Sequence, residues 1–240
     1  MTAGVELALA VGAVAAAAVV QGGTGAGFGL ISAPLLALID RSFVPGPVLA
    51  LTVVICGVGA WREREALVVR DLRGAAVASV PGMVVGVWAL SALDATPIAL
   101  VTGVVIGAAV IAAWCGVRIP ATPAALSCAG GLSGFLGTLI AAPGPPVSLV
   151  YRPPAAPRLR ANLSAYFAVT SVVALALLAA TGRFGRADAV HAAVLLPAGL
   201  AGAAIGGRLG SRLTGRTVGQ AVLGVAFASA VVVTAKAVAA

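Results

Sequence analysis

The chain has 240 residues, of which 61% are hydrophobic and only 9% are charged. A soluble domain needs about 25% charged residues to face water, so this composition excludes a soluble fold and indicates a polytopic helical membrane protein. The net charge of +8 comes from basic residues in short gaps between apolar runs, where they set membrane orientation, so no nucleic-acid partner is expected.

The apolar runs fall into two successive sets with the same order. Each set begins with a helical pair interrupted by glycines and continues with three spans: 4–39, 43–61, 74–93 and 95–117 in the first half, and 122–151, 163–181, 189–207 and 217–239 in the second. The prediction is one integral all-α membrane domain made of two repeats, residues 1–117 and 118–240. Each repeat is a Gly-broken helical hairpin plus three transmembrane helices.

The distribution of basic residues predicts how the broken pairs cross the membrane. If each pair enters and leaves on one face, the second repeat is inverted relative to the first. Most basic residues then share the face of the 62–73 gap, and the other face keeps only Arg41, Arg183, Arg186 and Lys236. If each pair is one kinked span, the basic residues divide almost evenly. The positive-inside rule therefore favours two inverted hairpins, with the 62–73 gap in the cytoplasm.

Glycine-rich runs occupy matching positions in the two halves, at 22–34 and 130–143. Such paired breaks in apolar segments point to the substrate site of a transporter. Backbone groups freed inside a membrane must line a cavity, and a helix that starts there presents N–H groups and partial positive charge to an anion. The candidate substrate-binding residues are Gly22, Gly23, Thr24, Gly25, Gly27, Ser32, Pro34, Gly130, Gly131, Ser133, Gly134, Thr138, Pro143, Asn162, Tyr166 and Thr170.

Each candidate also has a purely structural interpretation. Glycines in membrane helices allow close helix packing. Serine and threonine often hydrogen-bond their own helix backbone. Asn162 stands at the head of a span, where it is also suited to cap a helix.

The two motifs carry a family resemblance. The glycine run from Gly22 to Gly29 is followed by Pro34-Leu35-Leu36, and the run from Gly130 to Gly134 is followed by Pro143. With these motifs and its duplicated layout, the chain resembles the sulfite exporter TauE/SafE family. The resemblance implies a multi-pass protein of the bacterial inner membrane that transports, and usually exports, sulfur-containing anions or small organic acids.

The expected function is therefore export of a small anion, such as sulfite, an organosulfonate or an organic acid. We expect alternating access at a midplane site between the two breaks, with no cofactor, no metal site and no enzymatic activity. The expected partners are the anion and the lipid bilayer, and a homo-oligomer is left open. A carrier for a metal cation or a neutral metabolite is the alternative. A non-transporting scaffold and an intramembrane enzyme are weaker alternatives.

Overall fold

The computed structural model describes residues 3–117 and 119–213, together with the single positions 224, 228, 231, 232 and 235. Three short 3₁₀ turns, at 41–43, 64–66 and 69–71, lie between α-helices. Along residues 3–213 the α-helices are α1 (Ala3–Thr24), α2 (Phe28–Ile39), α3 (Gly46–Arg62), α4 (Arg73–Ala92), α5 (Ala95–Trp114), α6 (Pro123–Ile140), α7 (Gly144–Val150), α8 (Ala156–Ala180) and α9 (Arg186–Leu213).

Five of these helices are long and apolar enough to cross a membrane, namely α1, α4, α6, α8 and α9. Helices α2 and α3 and the apolar part of α5 are shorter. The prediction of an all-helical polytopic membrane protein is thus confirmed for the described residues. The predicted span 217–239 lies outside them, apart from the single positions named above.

Two helices are longer than the sequence predicted. Helix α8 begins at Ala156, seven residues before the predicted span, because Pro157 occupies its first turn. Proline is favoured there, since N–H groups in the first turn have no acceptor within the helix. Arg158 and Arg160 are therefore on the helix rather than in a loop. Helix α9 extends beyond both ends of the predicted span 189–207.

The core is built from three helix pairs, α1 with α9, α4 with α6, and α3 with α8. Helices α1 and α9 run in the same direction, since Val14 lies beside Gly199, and Val19 lies beside Gly206 one to two turns further on. Small residues line this contact, and a Cβ on Gly206 would overlap the carbonyl oxygen of Val19. The two backbones therefore touch, as in other membrane helix pairs with small residues at the interface.

The other two pairs differ in direction. Helices α4 and α6 are parallel, because Ala75 lies against Gly130 and Ser79 against Gly134. Helices α3 and α8 are antiparallel: Gly59 near the end of α3 contacts Ser164 near the start of α8, whereas residues from the start of α3 lie beside the second half of α8.

The first helix break lies at the glycines of its run, whereas the second lies at the end of its run, after the glycines. Gly25 (φ 80°) and Gly27 (φ 110°) separate α1 from α2 in backbone conformations that suit glycine. The glycines of the second run, in contrast, lie inside the continuous helix α6, and the chain breaks only at 141–143. The break thus lies at the proline end of the predicted run 130–143, and the expectation that the glycines of that run interrupt the helix is wrong.

The position of the second break has a local cause. Pro143 has no N–H for the helical ladder, and its ring disfavours helical conformation in the residue before it. Ala141 ends the helix in the left-handed region, with φ 53°. Pro34 of the first run is instead accommodated inside α2.

Candidate functional site

The two helix breaks lie against each other. Gly29, in the first turn of α2, packs on the carbonyl oxygen of Ala141 and on the Cα of Ala142, and a Cβ at Gly29 would overlap that oxygen. Residues 141–143 are buried, whereas in the first break Gly25 is buried and Ala26 and Gly27 are half-buried. Irregular backbone is thus brought together at one place in the interior of an apolar helical body.

Side chains from α1 bond the backbone of the first break. Gln21 Oε1 accepts a hydrogen bond from the Phe28 N–H (3.2 Å), and the Thr24 hydroxyl lies 2.9 Å from the Val20 carbonyl oxygen and 2.7 Å from that of Ala26. Gln21 is only 3% exposed, and its Nε2 has no hydrogen-bond partner among the described residues.

The second break borders a small cavity between α3, α4, α6 and α8. Ser133 donates a hydrogen bond to the Pro143 carbonyl oxygen (2.6 Å). The cavity beside them has a volume of about 10 Å³, roughly the space of one water, and Thr170 and Ser171 also line it. The Ser171 hydroxyl is buried and makes no hydrogen bond within the described structure.

Tyr166 adds a second buried hydroxyl that makes no hydrogen bond to the residues that the structure describes. The residue is 3% exposed, and its phenol lies beside the hydroxyls of Ser79 and Ser133, close enough to interact but outside hydrogen-bond geometry. Those two serines donate to the carbonyl oxygens of Ala76 and Pro143. A buried hydroxyl without a partner is costly, so Tyr166 and Ser171 leave two donors available to a ligand.

Several predicted site residues use their polar groups within their own helices. Ser32 donates to the Phe28 carbonyl oxygen (2.7 Å), and Thr138 and Thr170 each bond the carbonyl oxygen four residues earlier (3.0 and 2.8 Å). For these hydroxyls the structure favours the local interpretation.

The remaining candidates divide between packing surfaces and the breaks. Gly22 packs on Ala203 of α9, and Gly130 and Gly134 pack on α4. Gly131, beside Ala78, has more room. Across the whole candidate set, α1 carries Gly22, Gly23 and Thr24; the first break Gly25 and Gly27; α2 Ser32 and Pro34; α6 Gly130, Gly131, Ser133, Gly134 and Thr138; the second break Pro143; and α8 Asn162, Tyr166 and Thr170.

Asn162 lies away from the breaks, in a polar network at the end of the molecule that carries segments 62–73 and 151–160. We call this end the arginine-rich face. Asn162 holds the 62–73 segment, accepting from the Val68 N–H (2.8 Å) and donating to the Val68 carbonyl oxygen, to Asp71 (3.0 Å) and to Tyr151. Its amide is thus engaged in tertiary structure.

Asp71 is the centre of this network. Arg158 binds it with two hydrogen bonds, of 2.8 Å from Nε and 2.7 Å from Nη2, and the Tyr151 hydroxyl donates to it as well. The Arg158 guanidinium, followed by the Tyr151 and Asn162 hydrogen bonds, holds the pKa of the Asp71 carboxyl below its usual range against the opposing effect of burial. Burial and the Asp71 carboxylate raise the pKa of Tyr151 to about 12.

The opposite face carries a larger cavity, of about 440 Å³, between α2, α4, α5 and α6. Its walls are mostly apolar, although Asp40 and Arg41 also line it. It reaches Leu139 and Ile140, just before the second break. Pro34 is the predicted site residue that lines it. This cavity extends from one face toward the region of the breaks.

Sequence reasoning missed Gln21, although a glutamine in the last apolar turn before a glycine run was a readable signal. It also missed the partners of Asp71, which come from a segment some 80 residues away and have no local signature. Within the described part of the chain, no three His, Cys, Asp or Glu residues are grouped closely enough to hold a metal ion.

Residues 9–233 match the family model described as Sulfite exporter TauE/SafE. No curated protein and no solved structure matches the chain.

Proposed function

Because the chain belongs to the sulfite exporter TauE/SafE family and is therefore a membrane transporter rather than an enzyme, we propose that it exports a small sulfur-containing or organic anion. The proposed cargo site lies where the two helix breaks meet. The carrying observation is a pair of buried hydroxyls that make no hydrogen bond among the described residues: Ser171 lines the cavity at the second break, and Tyr166 lies beside Ser133, which bonds Pro143 of that break.

Buried hydroxyl donors suit an anion for a physical reason. An anion that leaves water must regain hydrogen bonds from the protein, and bonds to a charged group are about twice as strong as neutral ones. The hydroxyl of Tyr166 makes no hydrogen bond among the described residues, so an anion beside it would gain a donor that is not already engaged. A cargo held by such donors needs no buried arginine.

The order of helix contacts supports the proposal that the two halves are inverted repeats. In the predicted repeats, α1 corresponds to α6, α3 to α8 and α4 to α9. The pair α1–α9 then has α6–α4 as its counterpart, and both pairs are parallel. Helices α3 and α8 are equivalent to each other and antiparallel, which is the relation expected for an axis in the membrane plane.

The antiparallel α3–α8 pair also argues against two kinked spans. If each broken pair crossed the membrane once, the chain would make an even number of crossings from α3 to α8. The two helices would then run in the same direction. Two hairpins make this number odd, and an odd number agrees with the antiparallel direction of α3 and α8. We place the arginine-rich face in the cytoplasm of a bacterial cell, with the membrane being the inner membrane, on the positive-inside rule.

The two faces differ in a way that supports alternating access. A cavity lies on the face opposite the arginine-rich face, whereas ion pairs join the two halves on the arginine-rich face. We propose that the structure represents the conformation open away from the cytoplasm, and that export requires these ion pairs to separate and the large cavity to close.

Replacing Tyr166 by phenylalanine tests the cargo site. Because the hydroxyl makes no hydrogen bond among the described residues, its removal is expected to leave the melting temperature unchanged or raise it, while the KM for the anion rises about tenfold. The measurement is efflux of labelled sulfite and of simple sulfonates from proteoliposomes with a negative interior.

Tyr151→Phe is the matched control, since these are the two tyrosines of the chain. It removes hydrogen bonds to Asp71 and Asn162, so the melting temperature should fall while the KM stays near that of the native protein. An unchanged KM in Tyr166→Phe would contradict the proposed site. Competition by a metal cation or a neutral metabolite, and none by sulfite or a sulfonate, would favour the alternative cargo.

A further inference from the structure

A second polar cavity lies at the arginine-rich end of the first break, between α1, α3, α8 and α9. Its polar lining consists of Gln21, Arg62, Glu63, Arg160 and Ser164. We propose that this cavity is an entry site that binds the head group of a singly charged oxyanion before it reaches the midplane. The proposal rests on the proposed function, since it places the site on the cytoplasmic end of the export path.

Gln21 provides the donor that identifies the site. The Phe28 N–H must be met by an acceptor, which fixes Oε1 toward the backbone and Nε2 away from it. The side chain is 97% buried, and Nε2 has no partner among the described residues. An amide donor that is buried in this way calls for an acceptor, and an oxyanion in the adjoining cavity supplies one.

The charges around the cavity favour one negative charge. Arg62 and Arg160 contribute two positive charges, and Glu63 contributes one negative charge through its ion pair with Arg160 (2.7 Å). The second carboxylate oxygen of Glu63 is buried and has no hydrogen-bond partner in the part of the chain that the structure describes, so its charge repels additional negative charge. The net positive charge of the lining is therefore balanced by a monoanion and exceeded by a dianion.

Arg62 is placed to control access. Its guanidinium packs over Gly207 and donates to the Ala203 carbonyl oxygen at 3.5 Å, and the residue as a whole is exposed. In the present arrangement the cavity has about 20 Å³, little more than the space of one water. Displacement of this flexible side chain opens the cavity to the arginine-rich face. The backbone of Gly25, in the first break, lies directly against Arg160, so the site adjoins the break.

Equilibrium binding to the purified full-length protein in lipid nanodiscs tests the site. The probes are methanesulfonate and acetate as monoanions and sulfate as a dianion, titrated calorimetrically at pH 8 and constant ionic strength. Arg62→Gln removes one charge. Gln21→Glu keeps the acceptor for Phe28 but replaces the donor. Each is expected to weaken monoanion binding about tenfold.

Arg64→Gln is the control, because Arg64 belongs to the same segment but lies over Trp61 rather than on the cavity. Unchanged binding in Arg64→Gln together with the loss in Arg62→Gln supports the proposal. The proposal is overturned if the native protein and Arg62→Gln bind the monoanions equally well, or if Arg64→Gln loses as much affinity as Arg62→Gln. The cavity would then hold only water. Tighter binding of sulfate than of methanesulfonate overturns the preference for a monoanion.

Transport assays distinguish failure of the proposed entry site from failure of the proposed function. Suppose that the native protein exports methanesulfonate, and that Arg62→Gln and Gln21→Glu show the same KM for methanesulfonate presented on the arginine-rich side. The proposed entry site is then wrong, whereas the proposed function stands. If the monoanions bind with the expected mutational pattern but no anion is exported, the proposed function fails instead. Arg62 is exposed, so Arg62→Gln is expected to fold even if Gln21→Glu does not.

Discussion

Replacing Gly134 by alanine is expected to lower the melting temperature of the protein by roughly 10 °C. A Cβ at Gly134 would overlap the carbonyl oxygen of Ser79, and that oxygen belongs to the backbone of α4, which cannot rotate away. The two helices must separate, and the contacts along the whole α4–α6 interface weaken. Gly130→Ala should act similarly, because its Cβ would overlap the Ala75 carbonyl oxygen.

Gly131 provides a control within the same motif. A Cβ there would be 3.5 Å from the Ala78 carbonyl oxygen, an ordinary contact, and alanine is the better helix former. Gly131→Ala should therefore leave the melting temperature unchanged or raise it slightly. Thermal unfolding of the purified variants in one detergent measures the difference. If Gly130→Ala and Gly134→Ala melted like the native protein but lost transport, these glycines would contact cargo rather than α4.

The glycine runs show both the reach and the limit of sequence reasoning. Composition and hydropathy were enough to predict the helical membrane fold, and the first break follows from Gly25 and Gly27 themselves. The second run has a similar composition but serves helix packing, because Ala75, Ser79 and Gly82 of α4 approach it. Local sequence does not reveal that partner. The actual break has its own signal, the proline-rich segment 143–146.

Three candidate site residues of α8 also have different roles in the structure. Asn162, Tyr166 and Thr170 recur every four residues, and the spacing places them on one side of a helix. Along that side, however, the neighbours change with depth. Asn162 meets the 62–73 segment, Tyr166 faces serines from α4 and α6, and Thr170 bonds its own backbone. Periodicity indicates a shared face, whereas the role of each residue depends on contacts distant in sequence.

Asp71→Asn is expected to lower the melting temperature at neutral pH by about 5 °C. The substitution removes the negative charge that receives two hydrogen bonds from Arg158, and it disturbs the bonds from Tyr151 and Asn162. These bonds join the segment before α4 to the segment around the start of α8, so the loss loosens the contact between the two halves on the arginine-rich face. Glu65→Gln, an exposed substitution in the same segment, is the control and should change little.

The difference in melting temperature between the native protein and Asp71→Asn should depend on pH in a definite direction. The pKa of Asp71 is lowered in the folded protein, chiefly by the hydrogen bonds of Arg158, so the carboxylate contributes its full stabilisation at pH values above the ordinary carboxyl range. That contribution is lost as the pH falls through the lowered pKa, where the native carboxyl becomes neutral like the asparagine amide. The melting temperatures of native protein and Asp71→Asn should therefore differ at pH 7 and converge in strong acid. A difference of the same size at both ends of the titration would mean that the variant disturbs packing, and that the charge of Asp71 does not hold the two halves together.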